Sequence, residues 1–503
     1  MQTFSSILTN GPQHFLQAFK ASDQGSWYDS NLFGLTQFPN MGWGAVALID
    51  IPVDTPLFHI PSNLLLTPYT SRLASLLADE EWDKLDIGWA RLILVMMYET
   101  SLGQKSKWYQ YLSKLFLPCR PTWLIAETES MPTKFDTPMF WDETRRAELI
   151  GTDLEGRIGR EDADKQYFEI LLPIIQAHPD IFPPNSIDTS LEAYHLQGSR
   201  ILSRSFTIPR SKAGGPAPHV VESDDSDSDS DEEEGGVAAM VWMADMLNAA
   251  YELDNARLYD TSENTSATST EPWDRPGYTM RSTKLIKAGE QIYNTYDSPP
   301  NSELLRKYGH VDQLPLPQTI LELLTSEEVG NHPVGNPGDE VFLPGDMVLD
   351  AVTEVRGKKK EDLTERVDWW LEEGYEDTFP LTYSDPINED LIPFIRLMID
   401  DDDWSRAQHK GKRPHAKMDQ VVQSVLLSAL DLRAAKYKTS IEDDLAIISD
   451  SPGEKRAAVV RLGEKRILNV AHRVVMTAKL ETSTNEKKRT ATDYDESRSK
   501  KKR

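Results

Sequence analysis

The sequence predicts an α+β chain with more than one core, on three observations. It holds 503 residues, beyond the length at which a single hydrophobic core stops growing, so two domains or slightly more are expected. Strand-like alternation is concentrated in short segments upstream of residue 315, whereas 3.6-residue periodicity fills long stretches on either side of them. Apolar residues make up 39% and charged residues 27% of the chain, the proportions of a water-facing globular protein.

The first definite element is Met41-Gly42-Trp43-Gly44-Ala-Val-Ala-Leu-Ile-Asp-Ile-Pro52, which alternates as a strand does. Thr55 to Pro61 reads as a second strand after a turn at Val53-Asp54. From about residue 69 to 196 the period becomes helical. Trp89, Leu92, Ile93, Met96 and Met97 form one face, and Lys165 to Ala177 looks similar until Pro173, which is expected to interrupt it. Residues 211–236 break the pattern with Gly and Pro, then Ser/Asp alternation, then Gly235-Gly236. Nine carboxylates lie between Glu222 and Glu234. With so little apolar surface to bury, this stretch is expected to be a disordered acidic insertion. A shorter low-complexity patch, Thr261 to Thr270, reads as another surface loop.

Beyond residue 315 helical faces return. Leu363, Val367, Trp370 and Leu371 share one, with Gly374 placed to end it, and Val422, Leu426 and Leu430 share another. Thr439 and Glu442 have capping-box spacing before Leu445, Ile447 and Ile448. The last segment, Glu486 to Arg503, is polar with two basic clusters, Lys487-Lys-Arg489 and Lys500-Lys-Lys-Arg503. Their spacing is that of a bipartite nuclear-import signal, so a nuclear location and an import receptor as a partner are expected.

Charge and cysteine content narrow the function classes. A formal charge of −27 argues against nucleic acid as the main ligand, because phosphate neutralisation needs basic patches. It suits a basic protein partner. The single cysteine, Cys119, allows neither an intramolecular disulfide nor a thiolate zinc cluster. The ten histidines are scattered without ligand spacing, so no metal is expected. Leu92 to Tyr98, the longest apolar run, is too short for a bilayer, and Met1 to Thr9 lacks the pattern of a secretory signal. An intracellular chain without membrane contact is the expectation.

Several segments hold residues that chemistry could use. Gly42-Trp43-Gly44 sits in a strand, where glycine marks either a bulge or a close backbone approach, and the bulge is the blander choice. Ser203-Arg204-Ser205-Phe206 holds an arginine that a bland reading puts at a helix end. Met243-Ala-Asp-Met-Leu-Asn248 reads alone as a short core strand ending in an Asx turn. Gly289-Glu-Gln-Ile-Tyr-Asn-Thr-Tyr296-Asp ends in a tyrosine that is ordinarily half-buried. It is followed by Asn301-Ser-Glu-Leu-Leu-Arg-Lys-Tyr308-Gly309.

Taken together and in this order, these segments resemble the SET domain of protein lysine methyltransferases. The helical segments after them, Leu430 to Leu445 and Arg461 to Leu468, resemble the substrate-binding domain of the Rubisco large-subunit methyltransferase class. Within that class the pattern is most similar to the fungal ribosomal lysine methyltransferases and their animal relatives. The resemblance implies a β-rich SET core at 25–315, with a helical insertion at about 66–195, then an all-helical substrate-binding domain at 316–480 and a basic tail at 481–503. It implies S-adenosylmethionine as cofactor, contacted by Gly42, Trp43, Gly44, Arg204, Asn248 and Tyr296. Arg204 would reach the cofactor carboxylate region, for which a planar guanidinium is suited. Tyr296 would be the catalytic residue and Tyr308 a wall of the lysine channel, while Tyr293 is assigned to packing. Many SET domains have Asn-His where this chain has Asn248-Ala249, which leaves the adenine-side contact open.

The implied activity is methyl transfer to a protein lysine, with a large-subunit ribosomal protein as the favoured substrate and a histone or other nuclear protein as the alternative. An amine near pKa ~10.4 must first be made neutral, which aromatic walls favour by desolvation. A catalytically inactive SET-fold binding module is the rival from another class. Joint retention of Arg204, Asn248 and Tyr296 argues against it, and a purely structural helical scaffold leaves the strand motifs unexplained.

Overall fold

The computed structural model describes residues 10–39, 41–112, 131–184, 188–213, 236–261, 271–295, 298–450 and 455–480. Cys119, most of the acidic insertion, residues 262–270, Tyr296 and the basic tail lie outside the described residues. The chain divides into two compact units, one of Met1–Met139 with Gly159–Ser298, the other of Phe140–Ile158 with Pro299–Arg503. The division thus falls at Ser298, and a piece of the 66–195 helical stretch is counted with the second unit.

The first unit is built on antiparallel strands: β1 (Trp27–Tyr28), β2 (Phe33–Phe38), β3 (Gly42–Ala47), β4 (Pro56–Pro61), β5 (Ser205–Pro209), β6 (Gly236–Met240), β7 (Ala256–Asp260), β8 (Gly277–Ser282) and β9 (Gln291–Ile292). They form a four-stranded sheet in the order β1-β4-β8-β7, a three-stranded sheet β2-β3-β9 and a hairpin β5-β6. The alternation around Gly42 does produce a strand, and its pairing with β2 runs unbroken from Phe33 opposite Ala47 to Phe38 opposite Gly42. The glycines therefore mark no bulge there. The Val53-Asp54 turn is also present, with Asp54 at φ 60°.

Helix Ala90–Ser101 is buried from Ala90 to Glu99, on all sides rather than on one face. Full enclosure is tolerable because its charged residues are paired. Glu99 accepts the hydroxyls of Ser71 and Ser106 at 2.6 and 2.7 Å, and Arg91 meets Asp86 at 2.6 Å. Pro173 does not interrupt the second segment. Helix Arg160–Gln166 continues through a wide π turn, Tyr167–Leu171, into Leu172–Ala177, with Pro173 in the first turn of the last piece. The wide turn, in which the Leu172 N–H reaches back to the Tyr167 carbonyl, loosens the ladder where proline donates no N–H.

The second unit is mostly helical, but not wholly. It contains two hairpins, β10 (Leu314–Pro315) with β11 (Val334–Gly335) and β12 (Glu340–Pro344) with β13 (Thr378–Thr382). Its core holds Val341 and Leu343 from β12 beside Trp370, Phe394 and the helix Gln420–Ala434, where Val422, Leu426 and Leu430 are buried. On the helix Thr364–Glu372, Trp370 is buried but Leu371 is 46% exposed, so Leu371 leaves the face assigned to it. The capping box is shifted by one residue. Ser440 and Asp443 bond each other's backbone N–H at the start of the helix Ile441–Asp450. Thr439 instead meets Asp444 and Lys465, part of a buried cluster with Arg461.

Candidate functional site

Two remote segments of the first unit cross beside β3. Met243, buried and at φ 79°, opens the tight turn Ala244–Met246, after which the chain reaches Asn248. The backbone carbonyl of Asn248 accepts the N–H of Asn294 at 2.9 Å, just past β9. Asn255 fastens the crossing from the other side. Its Nδ2 donates to the Gln291 carbonyl at 3.0 Å and its Oδ1 accepts the Tyr293 N–H at 2.8 Å. Strand β9 pairs with β3, Gln291 opposite Val46 and Ile292 opposite Ala45.

Gly44 faces this crossing. A Cβ at Gly44 would lie 2.6 Å from Asn248 Nδ2, 2.6 Å from Gln291 Nε2 and 3.0 Å from Phe38 Cδ2. Glycine is required by close approach, not by a turn. Both amide nitrogens are buried, and neither has a hydrogen-bond partner among the described residues. Unsatisfied buried donors are rare enough in folded proteins to call for an explanation. Trp43, one residue earlier and so on the other face of the strand, is partly buried against the first unit's core.

Arg204 ends the helix Leu191–Arg204. Its Nη1 donates to the backbone carbonyl of Asp245 at 2.7 Å and lies 3.4 Å from the carboxylate. Among the described residues both contacts run through one nitrogen, which leaves the other guanidinium nitrogens to a second acceptor. The Asp245 side chain is fully buried and takes the Tyr111 hydroxyl at 3.0 Å, while Tyr111 stacks on Trp242 with ring centres 5.6 Å apart. Burial lifts the Asp245 carboxyl to about 6, against the pull of Arg204 and the Tyr111 hydroxyl. Burial likewise drives Tyr111 well above the usual phenol range, with the Asp245 charge adding to it.

The structure thus brings Gly44 and Asn248 together and fixes Arg204 to the backbone of Asp245, which lies three residues before Asn248. Gly42 lies at the exposed start of β3 with φ 70°. Tyr293 is half-buried and held by its backbone, in keeping with a packing role. Tyr296 lies outside the described residues. Tyr308 belongs to the second unit, as the last residue of the helix Asn301–Tyr308, where Gly309 at φ 76° closes the helix. Its ring lies 5.9 Å from that of His310.

Three residues were not foreseen: Gln291, Asp245 and Tyr111. Asp245 and Gln291 stand inside the segments that the sequence singled out, but what they touch is set by the crossing, which no local pattern encodes. Tyr111 carries no signal at all. Among the described residues no group of His, Cys, Asp or Glu could hold a metal ion, and no helix is long and apolar enough to cross a membrane.

Residues 357–468 match the family model described as Rubisco LSMT substrate-binding. The chain is 28% identical over 278 residues to the N-lysine methyltransferase SETD6 of Mus musculus, covering 54% of this chain and 49% of that one. It is 28% identical over 279 residues to the ribosomal lysine N-methyltransferase 4 of Saccharomyces cerevisiae, covering 54% and 50%. The chain spans about half the length of these curated relatives. Against the Xenopus laevis setd6 it is 25% identical over 458 residues, covering 85% of this chain and 87% of that one. Among solved structures, the SET domain of LSMT bound to lysine and AdoHcy matches with a TM-score of 0.60 at 18% identity, covering 93% of this chain and 91% of that one. Rubisco LSMT bound to sinefungin and monomethyllysine matches at 0.61 and 18%, covering 95% and 96%. These structural likenesses establish the fold.

Proposed function

We propose that this SET-domain protein of the Rubisco large-subunit methyltransferase class is an S-adenosylmethionine-dependent protein-lysine N-methyltransferase, with a large-subunit ribosomal protein as its substrate. The observation that carries the reading is the crossing at Gly44, where the two remote segments meet a strand too closely for a Cβ and Asn248 keeps a buried amide donor without a partner among the described residues. Unused buried donors suit a polar small molecule. Asn248 and the free edge of Arg204 would hold the cofactor, the guanidinium being matched to a carboxylate. When bound, the cofactor would supply an electrophilic methyl group on a sulfonium.

The chain's own residues have three tasks. They bind the cofactor, they keep water from the amine, and they align the amine. Tyr296 is assigned the alignment, because a hydroxyl beside the reacting nitrogen selects a near-attack geometry. The charge of −27 supports a basic protein substrate. The name of the yeast relative supports the ribosomal choice. A nuclear enzyme would meet such a protein before subunit assembly buries its lysine, which agrees with the two basic clusters of the tail.

The test is transfer of labelled methyl from S-adenosylmethionine into fractionated large-subunit proteins and into histones. Label on a lysine of a ribosomal protein is expected. Label on histones alone overturns the substrate, and cofactor binding without transfer to any protein overturns the activity in favour of a binding module.

A further inference from the structure

We propose that Tyr111 is a positioning residue for cofactor binding, whose hydroxyl holds the Asp245 carboxylate in place as the enclosed anchor of Arg204. The assignment rests on the methyltransferase reading and adds a support to its cofactor site. Arg204 faces two ways. Its side chain is 24% exposed, whereas the Asp245 side chain beside its Nη1 is wholly enclosed. The guanidinium can offer its open edge to a cofactor carboxylate in one fixed orientation only while the enclosed edge stays seated.

Seating by an ion pair requires Asp245 to keep its charge inside the core. Its Oδ2 takes the Tyr111 hydroxyl at 3.0 Å and lies 3.4 Å from Arg204 Nη1. Its Oδ1 has no hydrogen-bond partner among the described residues. Besides Arg204, the cation that bears on Tyr111 is Arg200, one turn earlier on the same helix. Burial already lifts the Asp245 carboxyl to about 6, against Arg204 and the hydroxyl together. Without the hydroxyl, burial is opposed by Arg204 alone, and the carboxyl takes up a proton closer to neutral pH. A neutral acid gives Arg204 no ion pair and leaves it on the Asp245 backbone carbonyl. The Tyr111 ring is itself fixed. It is fully buried and stacked on Trp242, which Phe15 and Phe19 flank with ring centres 6.0 and 5.7 Å away.

The test is calorimetric titration of the full chain with two nucleosides across a range of pH. S-adenosylhomocysteine carries the carboxylate, whereas 5′-methylthioadenosine keeps adenine, ribose and sulfur without it. Wild-type affinity for S-adenosylhomocysteine should decline as pH falls through about 6, where Asp245 gains its proton. In Tyr111→Phe the decline should begin about one pH unit or more higher, the worth of a hydrogen bond to a charged group. At neutral pH that variant should bind S-adenosylhomocysteine about threefold or more weakly, and 5′-methylthioadenosine within about twofold of wild type. Asp245→Asn keeps the shape but cannot ionise, so its weakened S-adenosylhomocysteine affinity should be flat with pH. Adding Tyr111→Phe to it should cost less than about twofold, because the hydroxyl then has no charge to hold. A purely structural tyrosine would cost the same in both backgrounds, and that result overturns the assignment. So do an unmoved pH profile in Tyr111→Phe, an equal loss for both nucleosides, or wild-type affinity in Asp245→Asn. A wild-type chain that binds neither nucleoside overturns the methyltransferase reading itself, and the role of Tyr111 with it.

Discussion

The Asn248 carbonyl accepts the Asn294 amide N–H at 2.9 Å, so the segment after the Ala244–Met246 turn and the segment after β9 share one joint. The crossing at Gly44 hangs from it. Asn248 and Gln291 meet at Gly44 because this joint and the Asn255 bonds fix both backbones. Tyr296 follows Asn294 by two residues.

Gly44→Ala puts a methyl 2.6 Å from two amide nitrogens and 3.0 Å from the Phe38 ring. The nitrogens are the ends of flexible side chains and can move aside, so the fold should survive with a melting temperature lowered by a few degrees. With the Asn248 amide displaced, S-adenosylhomocysteine binding by calorimetry should weaken more than tenfold. Wild-type affinity in a folded variant would show that the close approach at Gly44 has no part in binding.

Tyr296→Phe removes one hydroxyl and keeps the ring. Methyl transfer should drop about 100-fold or more, the scale of a lost alignment. Cofactor affinity should change far less and the melting curve little. Single-turnover rates with labelled cofactor separate these effects, and a wild-type rate would end the catalytic assignment.

Stability should depend on pH through two buried carboxyls. Burial pushes Asp339 up to about 7, against the pull of the Asn301 N–H that it accepts at 2.8 Å, and it lifts Asp245 to about 6. An unfolded aspartate titrates near ~3.9. Between about pH 4 and pH 7 the folded chain therefore keeps protons that the unfolded chain has released. Their contribution destabilises the fold progressively as pH rises through that window, is complete above it, and vanishes below about pH 4. Asp339→Asn retains an oxygen for the Asn301 N–H but cannot ionise. Its stability relative to wild type should climb from pH 4 to pH 7 and then level off, as read by urea unfolding. A difference that stays flat over this range would mean that Asp339 is not desolvated.

How much of this was legible depended on whether the cause was local. β3 and β4 were legible because period-two alternation is a property of the strand itself, and the turn at Asp54 was marked by its residue types. Arg204 and Asn248 were legible only as members of a familiar order of segments. Their partners were not, since Asp245, Tyr111 and Gln291 acquire meaning from a crossing of remote chain segments. Leu371 failed because a helical face wider than the core's contact leaves its edge in water. The hairpin of β12 and β13 was present as alternation at Val341 and Leu343, but the helical period around it masked so short a strand.

The tail offers a prediction about location. Two basic clusters, Lys487-Lys-Arg489 and Lys500-Lys-Lys-Arg503, flank the polar stretch Thr490 to Ser499. The bland account is a lysine-rich end that aids solubility, and short basic runs are common. A solubility tail, however, has no need of two clusters at import spacing. The rest of the chain carries a strong negative charge, so the clusters are conspicuous to a receptor that reads positive charge. The proposed substrate supplies a reason to enter the nucleus, where a newly made ribosomal protein still exposes its lysine. A fluorescent fusion of the full chain should concentrate in the nucleus, and removal of residues 486–503 should disperse it. Replacing only Lys487, Lys488 and Arg489 with alanine should give an intermediate distribution, because a bipartite signal loses affinity when one half is gone. If all three fusions distribute alike, the clusters are not an import signal, and the substrate must be met where the chain is made.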